Sequence, residues 1–566
     1  MKRPASVVYW LDEVPPLAVT LGNALQYVAV ISINLIYPLL IFRAIQSPEA
    51  LVADLISIAM IVVGLATFLQ ACRLGPIGTG YLCPSTLTAV YLTPSLLAVR
   101  TGGLPLLFGM TFFAGVLEAL LSRALGRLRA ILPVELSGLV IFMIAISAGV
   151  AGLRSLIGAS AAPVTRGEWW VAGITLAAMV VFNVWGKGLV RMLCALIGLA
   201  LGYAAAAAAG LFGAAQFATV QSLSWVALPG FGHLTWSFNI ALTAAFAIAA
   251  LAATMKAVGT ITMCQRMNDA EWARPDMASN ARGVLADGLG TMLAGALGSL
   301  GVNTSTPSVG LVSATGVTSR VVALGTGALF IALGLMPKLS GLLAAMPRAV
   351  MVAALLFATC FILINGLQVM TSRLLDARRT LVIGLSIMAG IAVEVFSVIA
   401  ESVPSMAKPI VGSSLVLAAL IGLGLNLLFR IGIKSTVRLA VEPGAIDAHR
   451  IEQFFRAQGA AWGARPDVIA RATFGVNQLV EAVAENCWRA GSMTVEASFD
   501  EFNLDVELTY HGKLLEFPDR RPADQEIRDT DEGMRRLAGF MLRHNADRVQ
   551  SDARDGQARV RFHFDH

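Results

Sequence analysis

The chain predicts an all-α polytopic membrane protein that carries a small α+β domain after its last span. Three observations predict it. Of 566 residues, 56% are hydrophobic and only 14% charged, against about 25% charged in a soluble domain. Apolar stretches of membrane-spanning length recur throughout residues 17–434. Beyond Lys434 the composition turns polar and charge-rich, and no further span is read. A soluble enzyme with a single anchor is excluded.

Fourteen apolar segments are read, at 17–42, 50–71, 83–98, 104–124, 132–152, 168–186, 190–212, 239–263, 284–300, 306–318, 321–343, 347–368, 379–399 and 410–430. Residues 1–16 read as a cytoplasmic N-terminus. Lys2 and Arg3 are followed by Asp12, Glu13 and Pro15-Pro16, with no short apolar core and cleavage site of the signal-peptide kind. The third and tenth segments are short and bracketed by Gly, Pro, Ser and Thr: GPIGTGYLCPSTLTAVYL (75–92) and GVNTSTPSVGLVSATG (301–316). They hold the same place in the two successive sets of seven. A matched pair of interrupted segments predicts two inverted repeats with a binding site near the membrane midplane.

Lys and Arg in the loops set the orientation. With the N-terminus inside, the exterior set is Arg43, Arg100, Arg154, Arg166, Lys338, Arg348 and Lys408, and the cytoplasmic set outnumbers it by more than two to one. An even number of spans then puts the C-terminal region inside too. The net charge of +6 fits such loops and does not call for nucleic acid. The six cysteines form neither a CxxC nor a metal-type spacing. Of the six histidines, His233 falls in an exterior loop and the others beyond the last span, so no catalytic triad or metal constellation points to an enzyme or a cofactor.

Lys256 is the most informative residue. It lies within AFAIAALAATMKAVGTITM (245–263), with apolar residues for more than two turns on its N-terminal side. A charge at that depth costs about 2.5–3.5 kcal/mol on insertion scales, so it is kept to face a cavity, a partner or a ligand. An ammonium donates hydrogen bonds and accepts none. The start of the tenth segment, near Thr304 to Ser308, adds free N–H groups and a positive helix end. Pro307 suits a first helical turn. Ser85 and Thr86, after Pro84, are expected to start the third half-helix and supply a second positive end. Together these features favour an anionic ligand.

In the C-terminal region, residues 435–465 read as a linker and 466–566 as the α+β domain. SMTVEASF (492–499) and LDVELTY (504–510) alternate as half-buried strands around a DEFN turn, and RVRFHFD alternates again. Helices are expected over 474–490 and 534–549. A helix with acidic residues followed by a hairpin resembles the nucleotide-binding fold of histidine-kinase-type ATPases. Glu481 fits the first position of its helix motif, but Glu485 stands where a metal-binding Asn is usual, and Tyr510-His511-Gly512 stands where Asp-x-Gly is usual. The resemblance therefore implies a domain that has lost ATP binding and serves as scaffold, dimerisation module or regulatory arm.

Several membrane stretches resemble the nucleobase–ascorbate transporter family, the xanthine/uracil permease group. These are LGNALQYVAV (21–30), LQACRLGPIGTG (69–80), LPVELSGLV (132–140), RGVLADGLGTMLAGALGS (282–299) and VGLVSATGVTSR (309–320). The last two are long and specific. The resemblance implies fourteen spans in two inverted repeats, divided into core and gate, working as a homodimer by an elevator movement. It also implies a substrate held between half-helices three and ten and facing helix eight. Gln26 is kept on the first helix, with Tyr27 where histidine is usual. Aligned on Gly259, Lys256 takes the place of the family's nucleobase-binding carboxylate, and Thr260 that of a second acidic residue. Pro307 and Ser308 replace a Gln/Glu-Asn pair. The expected substrate site is thus Lys256, Thr260, Ser85, Thr86, Thr306, Ser308, Gln26 and Tyr27, with Asp287 as coupling group or as the charge partner of Lys256. The reading is a secondary transporter of an anionic oxidised purine in the inner (plasma) membrane. A carrier of small inorganic or carboxylate anions is the alternative, as is a ligand sensor signalling through the C-terminal domain.

Overall fold

The computed structural model describes the chain except residues 1, 46, 129–133, 158–164, 273–274, 372–376, 397–402, 404–410, 430–434, 443–447, 463, 465, 501–502, 519, 521–530, 555–556 and 566. It forms two compact units, Met1–Asn426 and Leu427–His566.

Every one of the fourteen apolar segments corresponds to a helix or half-helix. These are α1 (Leu17–Ala44), α2 (Glu49–Ala71), α3 (92–102), α4 (104–128), α5 (Val134–Ile157), α6 (Arg166–Val184), α7 (Cys194–Ala208), α8 (Thr243–Asn268), α9 (Met277–Leu297), α10 (Thr306–Thr315), α11 (Arg320–Gly334 bent into Pro337–Ala344), α12 (Arg348–Met370), α13 (Ala377–Val395) and α14 (Ser414–Phe429). Among the described residues, seven helices are long and apolar enough to cross a bilayer, or eight if the pair in α11, bent by 77°, is one span. The division between α3 and α4 is made by Gly103, whose φ of 70° no β-carbon would favour, with Pro105 opening the next turn.

The two short segments meet. Ser85–Leu87 (β1) pairs antiparallel with Val302–Thr304 (β2), Ser85 opposite Thr304 and Leu87 opposite Val302. The pair is closed at its ends by Ser305 N–H donating to Pro84 C=O at 2.9 Å and Thr88 N–H to Gly301 C=O at 3.3 Å. Ser85 and Thr86, expected to begin the third half-helix, instead occupy this strand. The helical path starts at Ala89, after Thr88 turns the chain and its hydroxyl accepts from Val90 N–H. Unwound backbone at this depth is tolerated because the strands satisfy one another and are wholly buried.

Glycines fix the main helix crossings. A β-carbon at Gly64 (α2) would lie 2.6 Å from Gly327 C=O (α11), and one at Gly115 (α4) 2.7 Å from Gly288 C=O (α9). One at Gly138 (α5) would lie 2.4 Å from Met370 N (α12), and one at Gly366 (α12) 2.5 Å from Phe142 N. Close backbone approach through small residues is how helices associate where lipid offers no hydrophobic drive. The pattern has the two-fold relation of an inverted repeat. Segments two and four of the first set meet eleven and nine of the second, three meets ten, and five meets twelve.

The N-terminal segment lies across the ends of α8 and α10. Val8 N–H donates to Gly316 C=O at 2.7 Å, Trp10 Nε1 to Asn268 C=O at 3.2 Å, and Lys2 N–H to the Asp269 carboxylate at 2.8 Å.

The second unit is a five-stranded antiparallel sheet, order β3-β4-β5-β7-β6, formed by Ser435–Val441, Trp488–Phe499, Asn503–Gly512, Arg548–Arg554 (β6) and Gln557–Asp565 (β7). Its helices are α15 (Ala448–Trp462), α16 (Pro466–Asn486) and α17 (Asp531–Asn545). Leu504, Val506, Leu508 and Tyr510 alternate inward on β5, against Phe455, Val476, Leu479 and Val483 of the helices. The outer face carries the cross-strand pairs Arg561–Glu507 and Arg438–Glu496, at 2.6 and 2.8 Å. The expected linker 435–465 is corrected: β3 and α15 are parts of this unit, with Val441, Ile451 and Phe455 in its core. Within the DEFN turn, 501–502 lie outside the described residues.

Candidate substrate site

The site is built where β1 and β2 cross. Lys256, half-buried on α8, extends its ammonium to Thr88 Oγ1 at 3.4 Å. Thr88 is the residue that caps the half-helix beginning at Ala89. One turn on, Thr260 Oγ1 bonds its own helix at Lys256 C=O, 2.9 Å, and Thr306 Oγ1 at 2.8 Å. Thr306 is the first residue of α10, whose N-cap Ser305 makes no capping bond because its hydroxyl accepts from Ser308 Oγ at 2.7 Å. A cation and the starts of two helices therefore converge. Helix starts carry positive partial charge and unsatisfied N–H groups, so the locus is electropositive. Beside it, a β-carbon on Gly259 would meet nothing within 4 Å.

Asp287, fully buried on α9, faces the other side of the strand pair. Its Oδ1 accepts from Gln70 Nε2 at 2.9 Å and its Oδ2 from Thr304 N–H at 3.1 Å. Gln70 also donates to Gly283 C=O at 2.8 Å. Among the described residues no ion pair joins Asp287 to Lys256. Asp287 fastens β2 to α2 through Gln70. Asn303 performs the same task toward α8, donating to Ala253 C=O at 3.0 Å.

Of the residues predicted from sequence, Lys256, Thr260 and Thr306 come together. Ser308 sits one turn inside α10, and Thr86 Oγ1 accepts from Asn34 Nδ2 at 2.6 Å. Tyr27 is fully buried, and among the described residues its hydroxyl, Gln26 Oε1 and Ser85 Oγ have no hydrogen-bond partner. Such unpaired buried atoms are costly unless a ligand answers them. Sequence reasoning missed Thr88, Gln70 and Asn303. Gln70 and Asn303 carried a signal, being polar residues in otherwise apolar or interrupted segments. Glu118, buried on α4, accepts from the Tyr91 hydroxyl. Among the described residues no group of three His, Cys, Asp or Glu side chains is placed to hold a metal ion.

Two broken spans meeting at a buried polar centre within a helical bundle are the construction of a membrane transporter. The chain belongs to the xanthine/uracil permease family, described as the permease family, whose model matches residues 19–399. It is 28% identical over 444 residues to xanthine permease XanP of Escherichia coli strain K12, covering 75% of this chain and 95% of that one. It is 26% identical over 406 residues to uric acid permease PucJ of Bacillus subtilis strain 168, covering 70% and 89%. Among solved structures, the transmembrane domain of a cyanobacterial bicarbonate transporter, BicA, is 15% identical with a TM-score of 0.47, covering 74% of this chain and 99% of that one. The murine anion transporter Slc26a9 in its inward-facing state is 12% identical with a TM-score of 0.49, covering 76% and 71%.

Proposed function

We propose that this permease is a secondary active transporter of an oxidised purine, xanthine or urate, taken in its ionised form. The observation that carries the reading is the position of Lys256. Its ammonium stands against Thr88 at the positive end of one half-helix, one turn from the start of another, and among the described residues no carboxylate forms an ion pair with it. A cation in that place is disfavoured by both helix ends and by burial, and a bound anion relieves all three. The relatives' names, xanthine permease and uric acid permease, support the same substrate class. Thr260, Thr306, Ser85, Thr86, Ser308, Gln26 and Tyr27 provide hydroxyl and amide groups for the ring edges. Asp287 is the group available for a coupling proton.

The working cycle is an elevator movement of core against gate in a homodimer of the plasma membrane. Both termini are cytoplasmic, and residues 435–566 form a scaffold or regulatory unit. The test is uptake of labelled xanthine and urate by proteoliposomes holding the full-length protein, with uracil, sulfate and bicarbonate as competitors. Saturable purine flux, competed more strongly by ionised than by neutral purines, is expected. Flux of sulfate or bicarbonate alone moves the function to small anions, and purine binding without flux makes the chain a sensor.

A further inference from the structure

A second polar feature lies apart from the midplane site. A cavity of about 1020 Å³ opens between the end of α1, the last turns of α3 and α5, the start of α12 and the end of α13. Its charged lining is Arg43, Arg100, Arg154 and Arg348 against Glu49 and Glu394. Three of these charges are partly engaged as follows, and Arg348 too has a partner. Arg154 pairs with Glu394 at 3.4 Å, and Glu394 also accepts from Ser414 Oγ at 2.7 Å, while one Arg43 nitrogen donates to Ala344 C=O at 2.5 Å. Arg100 is exposed, and no hydrogen bond or ion pair holds it among the described residues.

Local helix energetics account for part of this set. Arg43 and Arg154 stand in last turns, where a cation suits the helix dipole, and Arg100 has the same placement at the end of α3. Arg348 does not fit. It is the first residue of α12, where a positive charge opposes the dipole. Nor does helix energetics explain why four guanidinium groups from four helices share one cavity with two carboxylates among the described residues. Half-helix α3 joins this cavity to the midplane site: Thr88, beside Lys256, precedes its first turn, and Arg100 lies about 18 Å along the same axis.

We propose that this cavity is a second binding site, a vestibule that captures the ionised oxopurine before it reaches Lys256. The inference rests on the purine reading above. Guanidinium is the side chain best matched to planar anions, through paired N–H donors and stacking. The cavity is several times larger than a purine, so the anion is held loosely and screened partly by solvent. Affinity there depends strongly on ionic strength, whereas the enclosed midplane site is screened far less. All four arginines belong to the exterior set of the loop-charge reading, which makes the vestibule an entry for uptake.

Equilibrium binding of labelled urate to purified full-length protein, at about 10 and about 300 mM salt, tests it. The wild type is expected to bind at two classes of site, of which the weaker falls about tenfold in affinity at the higher salt. Lys256→Met keeps only the salt-sensitive class. R100Q/R348Q keeps only the salt-resistant one, and R100K/R348K restores salt sensitivity with part of the affinity. Identical salt dependence in R100Q/R348Q and wild type overturns the vestibule. So does a single class of site that Lys256→Met abolishes, and so does an absence of urate binding at both sites. A salt-sensitive site lost in R100Q/R348Q, in a protein that moves no purine in proteoliposomes, leaves the vestibule standing and refutes the transport reading alone.

Discussion

Replacing Lys256 with methionine separates a ligand-binding lysine from a structural one, because the two roles move ligand-free stability in opposite directions. The side chain keeps nearly the same reach and loses its charge and its hydrogen-bond donors. Among the described residues its one side-chain hydrogen bond is the 3.4 Å contact to Thr88 Oγ1, at the long limit of such bonds, and that hydroxyl still accepts from Val90 N–H at 3.3 Å when the ammonium is gone. No carboxylate is left unpaired, since Asp287 is held by Gln70 and Thr304. Removing the charge therefore recovers part of the roughly 2.5–3.5 kcal/mol that a mid-membrane cation costs. The ligand-free melting temperature of Lys256→Met is expected to equal or exceed that of the wild type. A hydrogen bond to a charged group contributes about 1.5–3 kcal/mol. Urate affinity at the midplane site is then expected to fall roughly 10- to 150-fold. Thermal denaturation of the detergent-solubilised protein, with and without urate, reads both quantities. A ligand-free melting temperature well below wild type, with urate stabilisation undiminished, refutes the argument and makes Lys256 a structural partner.

Four further outcomes follow from the geometry. Asp287→Asn turns an acceptor of two hydrogen bonds into a group that must present an N–H to one of its donors. It is expected to destabilise by about 1–3 kcal/mol, measured by denaturation, and to abolish uptake, since the fastening of β2 loosens. Gly115→Ala forces a methyl group to within 2.4 Å of Met292 N, whereas Gly259→Ala meets nothing within 4 Å. The first is expected to cost about 1–3 kcal/mol and the second to leave stability unchanged or raised by up to about 1 kcal/mol in the same denaturation experiment. Asp269 has its pKa lowered, chiefly by the N–H of Lys2, so its contribution is present above the ordinary carboxylate pKa and is lost as pH falls through the depressed value. Hydrogen exchange at the Ala270 amide, which donates to Lys2 C=O at 2.8 Å, is expected to gain protection from acid to neutral pH, after correction for intrinsic rates. Mg-ATP is expected to leave the melting temperature of the full-length protein unchanged, because Glu485 and Tyr510-His511-Gly512 stand where metal- and adenine-binding groups are usual.

The membrane architecture was largely legible because lipid imposes long apolar runs, and because the two exceptions, 75–92 and 301–316, interrupt that pattern at matching places. The strand pair inside them was not. Ser85–Leu87 and Val302–Thr304 are three residues each, too short for a period of two to emerge, and each strand exists only because the other satisfies its backbone. Lys256 and Asp287 stood out as charges in apolar surroundings. Thr88 did not, since a threonine before a helix is an ordinary cap until a cation is seen beside it. The error over 435–465 has a different origin. Val437, Leu439 and Val441 alternate, and Ile451 and Phe455 stand one turn apart, so the signals of β3 and α15 were present. They were overshadowed by the sharp change of composition at the end of the last span.

The repeat explains why one lysine alters the whole site. The two-fold relation that brings segment three against segment ten also sets two helix starts near one another, each with unsatisfied N–H groups and each positive. With a carboxylate on α8, which the family resemblance places at position 256, the converging field is balanced internally and the ligand supplies N–H donors. With Lys256 the protein contributes positive charge from all three directions, and on the proposed reading the balancing anion is the ligand. The scaffold needs no other change for this reversal. The strand pairing, the glycine crossings at Gly115 and Gly288, and the anchoring of β2 by Asp287 and Asn303 are made by hydrogen bonds and contacts that do not include the Lys256 side chain. Lys256→Glu is therefore expected to fold, to lose stabilisation by urate, and to gain stabilisation by neutral purines that present ring N–H groups, read as thermal shifts of the two complexes. Loss of urate without gain of the neutral purine would mean that groups beyond α8 also set the sign of the ligand.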